Sequence, residues 1–146
     1  MIIALGSDHA GFILKEQVIS FLQSSGINFK DFGVHSEESA DYPDQATRVV
    51  QAVKSGEYDF GILICGTGIG MSIVANKHRG IRAALCSEPY SARLAREHNN
   101  ANVLTMGSRV IGPGMAEEIV RIFISTVFAS GRHERRLGKI EQLDQY

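Results

Sequence analysis

The segment of this chain whose residue types and spacing point most directly to chemistry is Cys65-Gly66-Thr67-Gly68-Ile69-Gly70. Its three glycines leave backbone N–H groups uncovered and permit positive φ. Between a buried strand and a helix, such a loop is a cradle for a phosphate, a carboxylate or a developing oxyanion, with the helix N-terminus adding partial positive charge. Cys65 stands just ahead of those N–H groups, where a thiolate is favoured and can act as base or nucleophile. A buried, inert cysteine would occupy the same position, and spacing alone does not choose between the two. Familiar phosphate loops are excluded. The dinucleotide pattern G-x-G-x-x-G needs a third glycine where Met71 stands, and no Gly-Lys-Ser/Thr triplet occurs. A cysteine phosphatase loop would need arginine at that same Met71.

Three further groups deserve the same reading. Asp8-His9 precedes Ala10-Gly11 after the first apolar run, offering an acid/base pair or an anion contact, or only a helix cap at Asp8. His98-Asn99-Asn100 precedes another apolar run, where the imidazole suits general acid–base work or simply ends a helix at the surface. Arg132 and Arg136, four apart, share a helix face and suit a phosphate or a solvated basic patch. Arg109 follows the run ending at Met106. Cys86 also ends an apolar run, but no glycine loop follows it, so an inert role is expected. His35, His78 and His133 have no comparable setting and are expected to be solvated.

The elements that must position these groups follow from hydrophobic periodicity. Ile2–Leu5, Ile27–Val34, Phe60–Ile64, Ile81–Cys86 and Val103–Met106 read as strands, the second nearer an edge. Helical patterns fill the intervals: Gly11–Gly26, a segment opening at Tyr42-Pro43 and stopping near Gly56, one through Met71–Ala75, and Glu88–Glu97. Met115–Ala129 and Arg132–Leu143 follow the last strand. This alternation predicts an α/β fold, a three-layer Rossmann-like sandwich on a five-stranded, largely parallel sheet. No linker or repeat divides the chain, so one domain over residues 1–146 is expected. Ligands of such sheets sit at the carboxyl ends of strands, which directs attention to the loops after Leu5, Ile64, Leu85 and Met106.

Composition narrows the function classes. With 146 residues, 15 Lys and Arg against 16 Asp and Glu, and a net charge of -1, the chain lacks the basic excess of a nucleic-acid-coating protein. Two cysteines are no disulfide framework, and neither has metal-site spacing. No signal peptide or membrane span is recognisable, so a reducing cytoplasm is the expected compartment.

Taken together, Gly6–Gly11, Asp41-Tyr42-Pro43, Cys65–Ser72, Ala75-Asn76-Lys77, Arg79–Ala83, His98–Leu104, Gly107-Ser108-Arg109 and Arg132–Arg136 closely resemble the B-type ribose-5-phosphate isomerases, a family that includes the galactose-6-phosphate isomerase subunits. The resemblance runs nearly end to end. It implies aldose–ketose isomerisation of a sugar phosphate through a cis-enediolate, without metal or organic cofactor. It implies that Cys65 is the base, assisted by Thr67, with backbone groups of Gly66, Gly68, Ile69 and Gly70 holding the enediolate oxygen. His98 would move a proton at the furanose ring oxygen and Asp8 would assist at the hydroxyls. Asn99 and Tyr42 would orient the sugar, while His9, Arg109, Arg132 and Arg136 bind the phosphate. A homodimer or tetramer with sites shared between subunits is implied. Retention of Cys65, with Ile69 where one branch carries a glutamate, places the chain in the thiol-base branch. Ribose 5-phosphate is the expected substrate. A six-carbon sugar phosphate such as allose or galactose 6-phosphate is the alternative, and a non-catalytic sugar-phosphate binding module the remaining one.

Overall fold

The computed structural model describes residues 1–145. Five parallel strands form one sheet in the order β2-β1-β3-β5-β4. They are β1 (Ile2–Ser7), β2 (Asn28–Asp31), β3 (Phe60–Cys65), β4 (Ala83–Leu85) and β5 (Val103–Gly107). Six α-helices connect or follow them: α1 (Phe12–Ser24), α2 (Tyr42–Lys54), α3 (Ile69–Asn76), α4 (Pro89–Glu97), α5 (Pro113–Ser125) and α6 (Arg132–Glu141). A short 3₁₀ turn, Gln142–Gln145, closes the described chain. No helix among the described residues is long and apolar enough to cross a membrane.

The period of two along the strands sends alternate side chains to opposite faces. Ile62 and Ile64 join Leu14, Val18, Leu22, Ile119 and Phe123 under α1, α4 and α5. Leu63 and Cys65 join Ala46, Val49, Val50, Met71 and Ala75 under α2 and α3. The sheet is therefore covered on both sides, as a parallel sheet requires. Removing one of these fully buried Leu or Ile side chains would cost about 2–5 kcal/mol.

Element types match the sequence pattern, while boundaries moved. β2 is four residues rather than the expected eight, and β4 three rather than six. Both are the sheet's edge strands, and their backbone bonds to β1 and β5 run on to Val34 and Cys86, while Gly33 at φ +108 interrupts the regular ladder of β2. The expected Met115–Ala129 helix instead begins at Pro113, which occupies its first turn, and stops at Ser125. There Thr126 turns extended, its hydroxyl and N–H both donating to the Ile122 carbonyl. The last helix likewise ends at Glu141 rather than Leu143.

The strand order reverses at β1. From β1 the chain crosses to β2 by α1 on one face, then to β3 by α2 on the other. The two connections diverge above the carboxyl ends of β1 and β3, which opens a crevice there. Asp8-His9 and Cys65–Gly70 are the segments that line it.

Candidate active site

Two hydrogen-bonded turns build the crevice. Asp8 N–H donates to the Ile64 carbonyl at 3.2 Å, and the buried Asp8 carboxylate accepts from Gly11 N–H at 3.0 Å. The N-cap of α1 is Gly11 rather than Asp8, whose carboxylate instead closes the turn ahead of the helix. A Cβ at Gly11 would lie 2.2 Å from the Ile64 carbonyl oxygen, so only glycine lets the β1 turn rest on the end of β3. His9 Nδ1 accepts from Ala40 N–H at 3.2 Å, which tethers the β2–α2 loop to the same rim.

Of the three loop glycines, only Gly68 takes positive φ. Cys65 is 5% exposed. Its sulfur accepts the Gly68 N–H at 3.1 Å, a donor aimed where a thiolate would carry charge. Gly68 caps α3 at φ +79, and a Cβ there would stand 2.5 Å from Leu85 Cδ1 and 2.8 Å from the Met106 carbonyl carbon. Thr67 Oγ1 accepts from Ile69 N–H at 3.3 Å. Tyr42 lies against Gly70, where a Cβ would come within 2.7 Å of its ring. Arg109 reaches the loop from β5: its N–H donates to the Gly66 carbonyl at 3.0 Å, and its guanidinium stands 3.3 Å from a Cβ position at Gly66. Ser108, just after β5, bonds to the segment after β1, its hydroxyl donating to the Ala10 carbonyl at 2.7 Å. An apolar cavity of about 230 Å³ adjoins the loop, bounded by Thr67, Ile69, Leu85, Cys86, Gly107 and Val110.

One rim therefore gathers Asp8, His9, Tyr42, Cys65, Thr67, the loop glycines and Arg109. It does not gather the rest. His98 caps the end of α4, and the chain then runs through Asn99 to Asn102, whose carbonyl accepts from Gly61 N–H at 2.9 Å. Gly61 is at the opposite end of β3 from Cys65, four strand residues or about 13 Å away. Arg132 and Arg136 lie on α6, which returns to that same far rim. Ala129 N–H, just before α6, donates to the Glu97 carbonyl at 2.9 Å. Asn99 lines a cleft of about 320 Å³ there, with Asn76, Arg82 and Leu137. The four phosphate candidates thus divide two and two between opposite edges of one sheet.

Two sequence expectations are resolved by packing. Cys86 is buried, and burial, followed by the Glu88 carboxylate, pushes its thiol up to about 11, which fits an inert role. His133, expected in solvent, is instead 8% exposed and stacks on His98, ring centroids 4.2 Å apart and planes inclined by 8°. The helical spacing of His133 and Leu137, the buried residues of α6, was the signal that could have found it. Lys15 was also not foreseen. Fully buried on α1, it pairs with Asp31 and donates to the Val34 carbonyl at 2.7 Å.

Comparison with known proteins adds a family to this geometry. Residues 3–140 match the Ribose/Galactose Isomerase family. The chain is 50% identical over 143 residues to ribose-5-phosphate isomerase B of Escherichia coli, covering 98% of this chain and 96% of that protein. It is 45% identical over 139 residues to a D-erythrulose-4-phosphate isomerase of Pectobacterium atrosepticum, covering 94% and 91%. A solved Clostridium thermocellum ribose-5-phosphate isomerase B superposes with a TM-score of 0.98 at 51% identity, covering 99% and 98% of the two chains.

Proposed function

The chain belongs to the ribose/galactose isomerase family, and from that premise we propose that it interconverts ribose 5-phosphate and ribulose 5-phosphate. The observation that carries this reading is the Cys65 sulfur held by a backbone N–H inside a glycine cradle at the reversal point of the sheet.

The chemistry is as follows. In ring opening, His98 gives a proton to the furanose ring oxygen as its bond to C1 breaks, and the C1 hydroxyl proton passes to the Asp8 carboxylate as the C1 carbonyl forms. The Cys65 thiolate then removes the proton from C2. The electron pair forms the C1–C2 double bond, and the former carbonyl oxygen becomes the enediolate oxygen. N–H groups of Gly66–Gly70 face that charge. The thiol returns its proton to C1, the O2 hydroxyl proton passes to O1, and the ketose carbonyl stands at C2. Tyr42 and Asn99 orient the hydroxyls. His9, Arg109, Arg132 and Arg136 bind the phosphate.

Because His98, Asn99, Arg132 and Arg136 stand on the far rim, a second copy must bring them to Cys65. We therefore read the working unit as a homodimer, or a tetramer of two such pairs, with shared sites. Exposed Ile69, Ile73, Leu85 and Val110 near the cradle supply apolar surface for that contact.

The test is turnover of ribose 5-phosphate by the wild type and Cys65→Ala, with C2 proton exchange followed in deuterated water. A fast wild type and an inactive variant that still binds support the proposal. Turnover by Cys65→Ala at the wild-type rate removes the thiol base. A relative named for a four-carbon ketose phosphate makes chain length the variable to vary, so allose 6-phosphate and erythrulose 4-phosphate belong in the same assay. Preference for either keeps the chemistry and changes the substrate.

A further inference from the structure

The stacked pair His98 and His133 has no counterpart in the chemistry above, which uses only His98. Their planes are nearly parallel at 4.2 Å, a spacing at which two imidazolium charges repel strongly. The surroundings of the two rings differ. The His98 side chain is 36% exposed, with its Nε2 3.8 Å from a Glu97 carboxylate oxygen. His133 is 8% exposed, with Arg132 and Arg136 beside it on α6 and Glu97 facing it from α4. Burial first, then His98 and the two arginines, push the His133 imidazole below its usual range, against a smaller opposing pull from Glu97.

We propose that His133 is a positioning residue for His98: its flat, buried ring stacks on the His98 imidazole and holds it parallel. This rests on the reading of His98 as the group that moves a proton at the ring oxygen. The physical basis is contact: two rings 4.2 Å apart and inclined by 8° restrict each other's rotation, and the buried His133 is the fixed partner. The stack also fixes His98 parallel to the His133 ring, and the residue that does so sits between Arg132 and Arg136. Phosphate contact and ring orientation are thereby set by one short helix.

The experiment has two arms on the full-length chain. In the first, imidazole Hε1 resonances are titrated by NMR. His98→Asn should move the His133 step upward, because a neighbouring group that holds it down is gone. A His133 step that does not move overturns the proposal. In the second arm, His133→Ala should lower kcat on ribose 5-phosphate about tenfold or more through loss of orientation. KM should stay within about threefold, since both arginines that meet the phosphate remain. His133→Phe, which can still stack, should recover most of that kcat. Wild-type kcat in His133→Ala, or a His133→Phe no better than His133→Ala, refutes it. The NMR arm on the wild type and His98→Asn stands even if a His133 variant fails to fold. Full turnover by His98→Asn would remove the catalytic reading of His98 and leave the titration result intact, so the two failures are distinguishable.

Discussion

Cys65 and His98 stand at opposite rims of one parallel sheet, the thiol at the carboxyl end of β3 and the imidazole behind the amino end of β5. The stretch of β3 from Gly61 to Cys65 alone spans about 13 Å. A rigid sheet does not bring them together. In a two-fold dimer each site would pair one copy's Cys65 with the other's His98. Cys65→Ala and His98→Asn homodimers should both be inactive. Mixed and refolded together, they should recover about one quarter of wild-type activity, because half of the random dimers are hybrids and each hybrid holds one intact site. Recovery of nothing, with hybrids verified by native mass spectrometry, rejects the shared site.

The proposed phosphate contacts give a second expectation. Arg132→Ala or Arg136→Ala should raise KM for ribose 5-phosphate roughly 10- to 100-fold, the range for losing a charge-assisted hydrogen bond. Arg109→Ala should do the same from the Cys65 rim. Inorganic phosphate should compete with substrate in the wild type and more weakly in each variant. A KM unchanged in all three would remove the arginines from the site.

Gly68 holds φ +79 and contacts Leu85 and the Met106 backbone too closely for a Cβ. Gly68→Ala should destabilise the fold by about 1–3 kcal/mol. It should also lower kcat, because the N–H that meets the Cys65 sulfur is the one displaced. Thermal unfolding and steady-state kinetics on the same preparation read both effects, and an unperturbed kcat would separate the cradle from catalysis.

Lys15 is fully buried and anchors the β2–α2 loop through Asp31 and the Val34 carbonyl. Lys15→Ala should cost about 3–5 kcal/mol, because it strands a part-buried carboxylate. Lys15→Met combined with Asp31→Asn should restore most of the loss in urea denaturation. The same loop carries the Ala40 N–H that meets His9, so Lys15→Ala should raise KM as well.

The Cys86 thiol is raised from 9.0 in the unfolded chain to about 11 in the fold. Between those values the native state holds a proton that the unfolded state has lost. Stability is therefore intact below pH 9 and falls as pH rises through that window. Cys86→Ala should flatten this alkaline decline in a pH series of melting temperatures. In the wild type at neutral pH, iodoacetamide should modify Cys65 well ahead of Cys86, with sugar phosphate protecting Cys65.

The sequence alone was enough to read the strand and helix types, the glycine cradle and Asp8 beside it. Those features are local: apolar runs, period-two and period-3.6 patterns and the backbone freedom of glycine are written within a few residues. Edge-strand and helix limits were less legible. β2 and β4 leave the regular ladder although their backbone bonds run on to Val34 and Cys86, and α5 stops where Thr126 turns extended; the partners in those bonds come from distant segments. Function was legible because Cys65–Gly70, Asp8, His98 and the α6 arginines occur together in one chain with family spacing. Only the tertiary structure decided which of them meet. It set Arg109 against Gly66, Tyr42 against Gly70 and Lys15 against Asp31, and it turned His133 inward onto His98. It also divided the candidates between two rims. Such a division depends on strand order and crossover direction, which are long-range properties of the packed sheet that neighbouring residues do not encode.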